Sequence, residues 1–151
     1  MSESTVVNLN TQSDETRTVS IFGYELIREI LLQEILGKDT PEILYWGGKR
    51  LARMYPLNNY EELIDFFDRA SWGHLAIKNE GKDEMEFELI SPLIVSRVKS
   101  KAEHFFQLEA GFLAQQIEHQ KKGIAETFEH PVKKSNKVLF TVKWDKKDTI
   151  D

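Results

Sequence analysis

The sequence predicts an α+β fold: N-terminal helices, a β-hairpin, a long central helix and a second hairpin. The four strands are expected to form one mainly antiparallel sheet packed on the helices. Three observations carry that expectation. Apolar residues before position 70 recur at helical spacing. From Glu84 the period drops to two, with Met85, Phe87 and Leu89 alternating with Glu84, Glu86 and Glu88. After one further helical segment, Val138, Phe140, Val142 and Trp144 alternate in the same way.

Residues 1–19 are rich in Ser, Thr, Asn, Gln and Asp, with Val6, Val7, Leu9 and Val19 as their sizeable aliphatics past Met1. Such a segment cannot bury enough apolar surface to offset its ordering entropy, so a mobile arm is expected. Ile21, Phe22, Leu26, Ile27, Ile30, Leu31, Ile35 and Leu36 then form a helical stripe, which Gly37 stops. Thr40-Pro41 reads as an N-cap followed by the first helical residue, with Glu42 set against the positive helix start. This second helix carries Ile43, Leu44, Trp46, Leu51, Ala52 and Met54, and Pro56 follows its end. Gly47 and Gly48 in its middle each cost about 1 kcal/mol against alanine. Close approach of another helix explains that cost, and so does an ordinary crowded packing site.

Asn58, Asn59, Glu61 and Glu62 mark the start of a third helix, striped by Leu63, Ile64, Phe66 and Phe67 and ending near Ala70. Trp72, Leu75 and Ile77 belong to the first strand, Asn79-Glu80-Gly81-Lys82 turns the chain, and Pro92 closes the second strand. Ser100 and Glu103 form a capping box for the longest helix, which runs to about Gln120. Runs at 124–132 and 138–144 make the second hairpin. Lys146 onward reads as a frayed tail. The expected boundaries are therefore an arm at 1–19, one domain over 20–145 and a tail at 146–151.

A chain of 151 residues suits one domain with a real core. The absence of cysteine excludes disulfides, thiolate metal sites, Fe–S clusters and cysteine nucleophiles. A net charge of −5 supplies no global attraction for nucleic acid or anionic lipid. No apolar run approaches the roughly 18 residues of a transmembrane helix. The polar N-terminus lacks a signal-peptide core, so a cytoplasmic location is expected.

On the central helix, Ala102, Phe105, Phe106, Glu109, Ala110, Phe112, Leu113, Gln116 and Ile117 fall on one broad face, leaving His104, Gln107, Gly111 and Glu118 outside it. Glu109 and Gln116 thus lie inside an apolar stripe, and two readings stand. They are the polar floor of a ligand pocket walled by Trp72, His74, Phe105 and Phe112, or Glu109 is a structural group bonded to nearby backbone or an arginine.

His74, His104, His119 and His130 show no metal-binding helical spacing, and no P-loop, dinucleotide fingerprint or nucleophile elbow is present. Hence no catalytic residue, metal or cofactor is expected, and the chain reads as non-enzymatic. Lys133, Lys134, Lys137, Lys143, Lys146 and Lys147 suit a solvated sheet edge better than a nucleic-acid surface. Tyr45, Trp46, Gly47 and Gly48 set a large aromatic beside small residues, so a two-fold dimer through the first two helices is expected.

Four segments carry a resemblance: Phe22-Gly23-Tyr24-Glu25-Leu26-Ile27-Arg28, Tyr45-Trp46-Gly47-Gly48-Lys49-Arg50-Leu51-Ala52-Arg53, Trp72-Gly73 and Leu108-Glu109-Ala110-Gly111-Phe112-Leu113-Ala114. Over about residues 20–144 the chain resembles the YslB-like family of uncharacterised proteins from Gram-positive bacteria. More distantly it is similar to 4-vinyl reductase-type domains, whose relatives include TRAPP vesicle-tethering subunits and haem–nitric-oxide-binding sensors. The resemblance implies an interior able to hold an apolar small molecule, and self-association through the N-terminal helices.

Metal and haem do not carry over. Where the reductase-type domains carry cysteines, this chain has His104-Phe105-Phe106, Glu129-His130 and Val138-Leu139-Phe140, and no histidine sits mid-face on the apolar helix as an axial ligand. Two functions remain: a binding module for an apolar or amphipathic small molecule, and a homodimeric interaction protein with a filled core. A cavity lined by Phe105, Phe112, Trp72 and Glu109 favours the first. A filled core with a Trp46-containing surface favours the second.

Overall fold

The computed structural model describes residues 17–91, 106–132 and 135–149, with side chains described as far as 145. The arm at 1–16, Pro92, Ser100, Glu103, His104, Phe105, Lys133 and Lys134 lie outside the described residues.

Ser20 opens the first helical stretch, its hydroxyl accepting the Phe22 N–H at 3.1 Å. Here α1 (Ile21–Glu25) passes through a π-helical segment (Leu26–Leu31) into α2 (Leu32–Leu36). In the wide segment the Leu32 N–H donates to the Ile27 carbonyl, one residue further back than in an α-helix. Gly37, at φ +66°, ends the stretch. The described residues fall into two compact units, one ending at Gly37 and the other beginning at Lys38.

In the second unit, α3 (Thr40–Met54) begins with Pro41 in its first turn, and Asp39 rather than Thr40 holds the capping position. At the start of α4 (Tyr60–Arg69), Asn59 accepts the Glu62 N–H at 2.9 Å and the Glu62 carboxylate accepts the Asn58 N–H at 2.9 Å. The remaining elements are β1 (His74–Glu80), β2 (Glu84–Ile90), α5 (Gln107–Lys121), β3 (Gly123–Pro131) and β4 (Lys137–Thr149). The fold is α+β, and the strands make one antiparallel sheet ordered β1-β2-β4-β3.

The register explains the core. Met85 faces Val142, Phe87 faces Phe140 and Leu89 faces Val138, and all six side chains are fully buried. Glu84, Glu86 and Glu88 take the alternate positions of β2, as the period of two requires. β4 pairs with β3 out to Thr149, so the segment expected to fray from Lys146 is strand that far. Backbone pairing extends it, because β3 starts directly after α5 and offers Gly123 as a partner.

α5 is buried on more than the expected face. Ala110, Phe112, Leu113 and Ile117 are buried, and so are Gly111 and Ala114. Sequence reasoning placed Gly111 outside the apolar stripe, but α3 packs there. A Cβ on Gly111 would fall on the Tyr45 carbonyl oxygen, and one on Gly48 would fall on the Leu108 carbonyl oxygen. Glycine on both helices lets the two backbones touch. Gly48 is therefore occupied within the chain and is not the dimer contact expected of it. Gly47 is different: its Cβ would meet only Leu108 Cδ1, at 3.9 Å.

Candidate functional site

Of the side chains expected around an interior pocket, Phe105 lies outside the described residues and the others can be placed. Phe112 stacks on Phe66 with centroids 4.6 Å apart, and meets Trp72 edge-on at 5.2 Å and Phe67 at 5.9 Å. Phe67 in turn meets Trp72 edge-on at 5.0 Å. These contacts fall in the favoured range for aromatic pairs, and Trp72 and Phe112 belong to the hydrophobic core. His74 stands at the surface, its Nδ1 3.8 Å from Asp68 Oδ2. Glu109 is fully buried on α5.

Gln116 is a tie between α5 and the turn after α3. Its Oε1 accepts the Leu57 N–H at 3.0 Å and its Nε2 donates to the Tyr55 carbonyl at 2.8 Å, while Gln120 Nε2 donates to the Leu57 carbonyl at 3.2 Å. Backbone groups left over at the end of a helix need such partners. Gln116→Leu should therefore lower stability by about 1–2 kcal/mol in urea denaturation, since it keeps the bulk and removes the amide's hydrogen bonds.

A cavity of the second unit lies elsewhere. A cleft of about 520 Å³ is lined by Pro41, Glu42 and Tyr45 of α3, Gln107 of α5, and residues 126–130 of β3. Consecutive strand residues point to opposite faces, so five in a row border one cleft only where it follows the strand's edge. β3 is an edge strand, and two of its N–H groups are capped by helix side chains. Glu118 Oε1 accepts from the Ala125 N–H and the Tyr45 hydroxyl from the Thr127 N–H, each at 3.1 Å. Burial pushes the Tyr45 phenol above its ordinary value of 10.0, against the lowering effect of the Thr127 N–H, so the group here is the neutral phenol. Gln107 Nε2 donates to Glu129 Oε1, fixing that carboxylate on the wall.

Sequence reasoning missed this cleft because Tyr45, Gln107 and Glu129 come from three separated segments with no shared motif. Of the expected dimer residues, Tyr45 is half-buried with its hydroxyl engaged, and Gly47 is half-buried. Trp46 is 61% exposed, with the Arg50 guanidinium 5.9 Å from its ring centroid. Among the described residues, no group of three or more His, Asp or Glu side chains is placed to hold a metal, and no helix is long and apolar enough to cross a membrane.

The first unit shows inverted burial. Ile21, Phe22, Leu26, Ile27, Ile30, Leu31 and Ile35 are 40–67% exposed, whereas Arg28 is 4% exposed and donates to the Tyr24 hydroxyl at 3.2 Å. Arg28 is the buried residue of α1, the π segment and α2.

Known proteins place this architecture. A family described as a protein of unknown function, DUF2507, matches residues 21–143. The uncharacterized protein YslB of Bacillus subtilis (strain 168) is 48% identical over 132 residues, which cover 87% of this chain and 89% of that protein. A vinyl-4-reductase family protein from Methanocaldococcus jannaschii superposes with a TM-score of 0.64 at 22% identity, over 87% of this chain and 85% of that one. An oxygen-binding H-NOX domain related to soluble guanylate cyclases gives 0.50 at 15% identity, over 89% and 76%. At these identities the two structures share the fold with this chain.

Proposed function

The chain belongs to the DUF2507 family of proteins of unknown function, and within it we propose a non-catalytic interaction module that works as a homodimer through residues 21–36. The inverted burial of that stretch carries the reading. Single exposed aliphatics are ordinary, but seven large apolar side chains exposed on one short helical stretch make a patch of the kind that meets a partner. Burying such side chains fully yields about 1.5–3 kcal/mol each. A two-fold interface buries the same face on both copies, which in aggregate exceeds an association cost of roughly 4–15 kcal/mol.

The packed interior supports the same choice. Trp72, Phe66, Phe67 and Phe112 pack ring against ring inside the second unit. Trp46, exposed on the second unit, is of the residue type enriched where partners bind.

Light scattering on wild type, Ile27→Glu and Ile30→Glu tests the reading. The wild type should be a dimer at micromolar concentration, and each variant a monomer with an unchanged far-ultraviolet circular dichroism spectrum. A monomeric wild type contradicts the proposal, and so do variants that remain dimeric.

A further inference from the structure

The exposed face of α3 carries a pattern that pairs with itself. At the helical period, Glu42, Ile43, Trp46, Arg50, Arg53 and Met54 share the side of the helix opposite Leu44, Gly48 and Ala52. Those three are buried, whereas the six are exposed, Trp46 by 61% and Met54 by 63%. We propose that this face is a contact between two copies of the chain, the two α3 helices lying antiparallel across a two-fold axis at the level of Gly48. The inference rests on the self-association proposed for residues 21–36 and gives that dimer a second surface.

Charge and register decide the orientation. Such an axis reverses the helix while keeping each side chain on its own edge of the face. Glu42 and Arg53 lie on one edge, Ile43 and Met54 on the other, and Trp46 and Arg50 between them. Glu42 then stands opposite the partner's Arg53, Ile43 opposite the partner's Met54, and Trp46 opposite the partner's Arg50. All three pairs centre on the level of Gly48. A parallel arrangement would instead set Arg53 level with the partner's Arg53 and Glu42 level with the partner's Glu42. Two features of the single chain fit the antiparallel one. Among the described residues, the side chains of Glu42 and Arg53 have no ion-pair or hydrogen-bond partner, so both charges are open to a second copy. The Arg50 guanidinium, 5.9 Å from the Trp46 ring centroid, braces the exposed indole at the centre of the face. Tryptophan, arginine and methionine are the residue types enriched where proteins meet. Acid in the first turn and arginine in the last also complement the dipole of a lone helix, and charge reversal separates that use from pairing.

Sedimentation equilibrium of the full chain at low ionic strength tests this. Glu42→Arg and Arg53→Glu should each weaken the dimer about tenfold or more, since every like-charge contact occurs twice by symmetry. An equimolar mixture of the two variants should regain wild-type affinity, because each arginine of one copy then meets a glutamate of the other. The double variant Glu42→Arg/Arg53→Glu should pair as the wild type does. Wild-type affinity in either single variant, a mixture no tighter than its components, or a double variant weaker than both singles overturns the proposal. Where Glu42→Arg does not fold, Trp46→Glu takes its place, and a dimer that survives this change overturns the pairing. A dimer lost in Ile27→Glu but untouched by the α3 variants removes the α3 contact and leaves the role of residues 21–36 standing. A monomeric wild type removes both.

Discussion

Phe112→Ala should destabilise the protein by about 3–5 kcal/mol, seen in urea denaturation as a large fall in midpoint with little change in slope. Phe112 is fully buried, and its ring touches Phe66, Phe67 and Trp72 within 4.6–5.9 Å. Truncation loses the transfer free energy of the ring and leaves a void that three aromatic neighbours, each held by its own contacts, cannot close. The size of the loss also separates two descriptions of the interior. In a filled core the full cost appears. Around a pre-existing pocket the ring would have fewer partners to lose, and a cost below about 1.5 kcal/mol would follow.

The second large effect falls on a residue with no side chain. Gly111→Val should cost about 3 kcal/mol or more, or prevent accumulation of folded protein, measured by thermal denaturation. The added atoms meet the Tyr45 carbonyl, and backbone cannot rotate aside as a flexible side chain can. Moving α3 away would also draw the Tyr45 hydroxyl off the Thr127 N–H that it caps. Gly48→Ala meets the Leu108 carbonyl oxygen and the Phe112 nitrogen and should be damaging for the same reason. Gly47→Ala provides the internal control: with only an ordinary contact at 3.9 Å, it should be neutral or stabilise by up to about 1 kcal/mol through helix propensity. Adjacent glycines with opposite outcomes would locate the helix contact to one residue.

Most of the fold was legible in the sequence because it follows from local chemistry. The glutamates between Met85, Phe87 and Leu89 could face water only on a half-buried strand, and β2 is that strand. Asn59 and Glu62 announced the start of α4, and their bonds are in place. What remained hidden depends on contacts between segments. A helical wheel assigns Gly111 to the wet side because it carries no apolar atoms, while its burial comes from the α3 backbone. The spacing put Gln116 on the core face but could not name Tyr55 and Leu57 as its partners. The stripe at 21–36 looked like a plain amphipathic helix, whereas the π-helical turns and the buried Arg28 leave its aliphatics outward. The length of β4 was concealed by its lysines, since strand pairing there is a property of the backbone.

Outward aliphatics around an inward arginine call for a second copy of the chain, and sedimentation equilibrium of the full wild-type chain reads this out. Across the micromolar range the account predicts twice the mass of the 17.6 kDa chain, reverting to single-chain mass when Ile27 or Ile30 becomes glutamate. A wild type that sediments at 17.6 kDa throughout that range would contradict it.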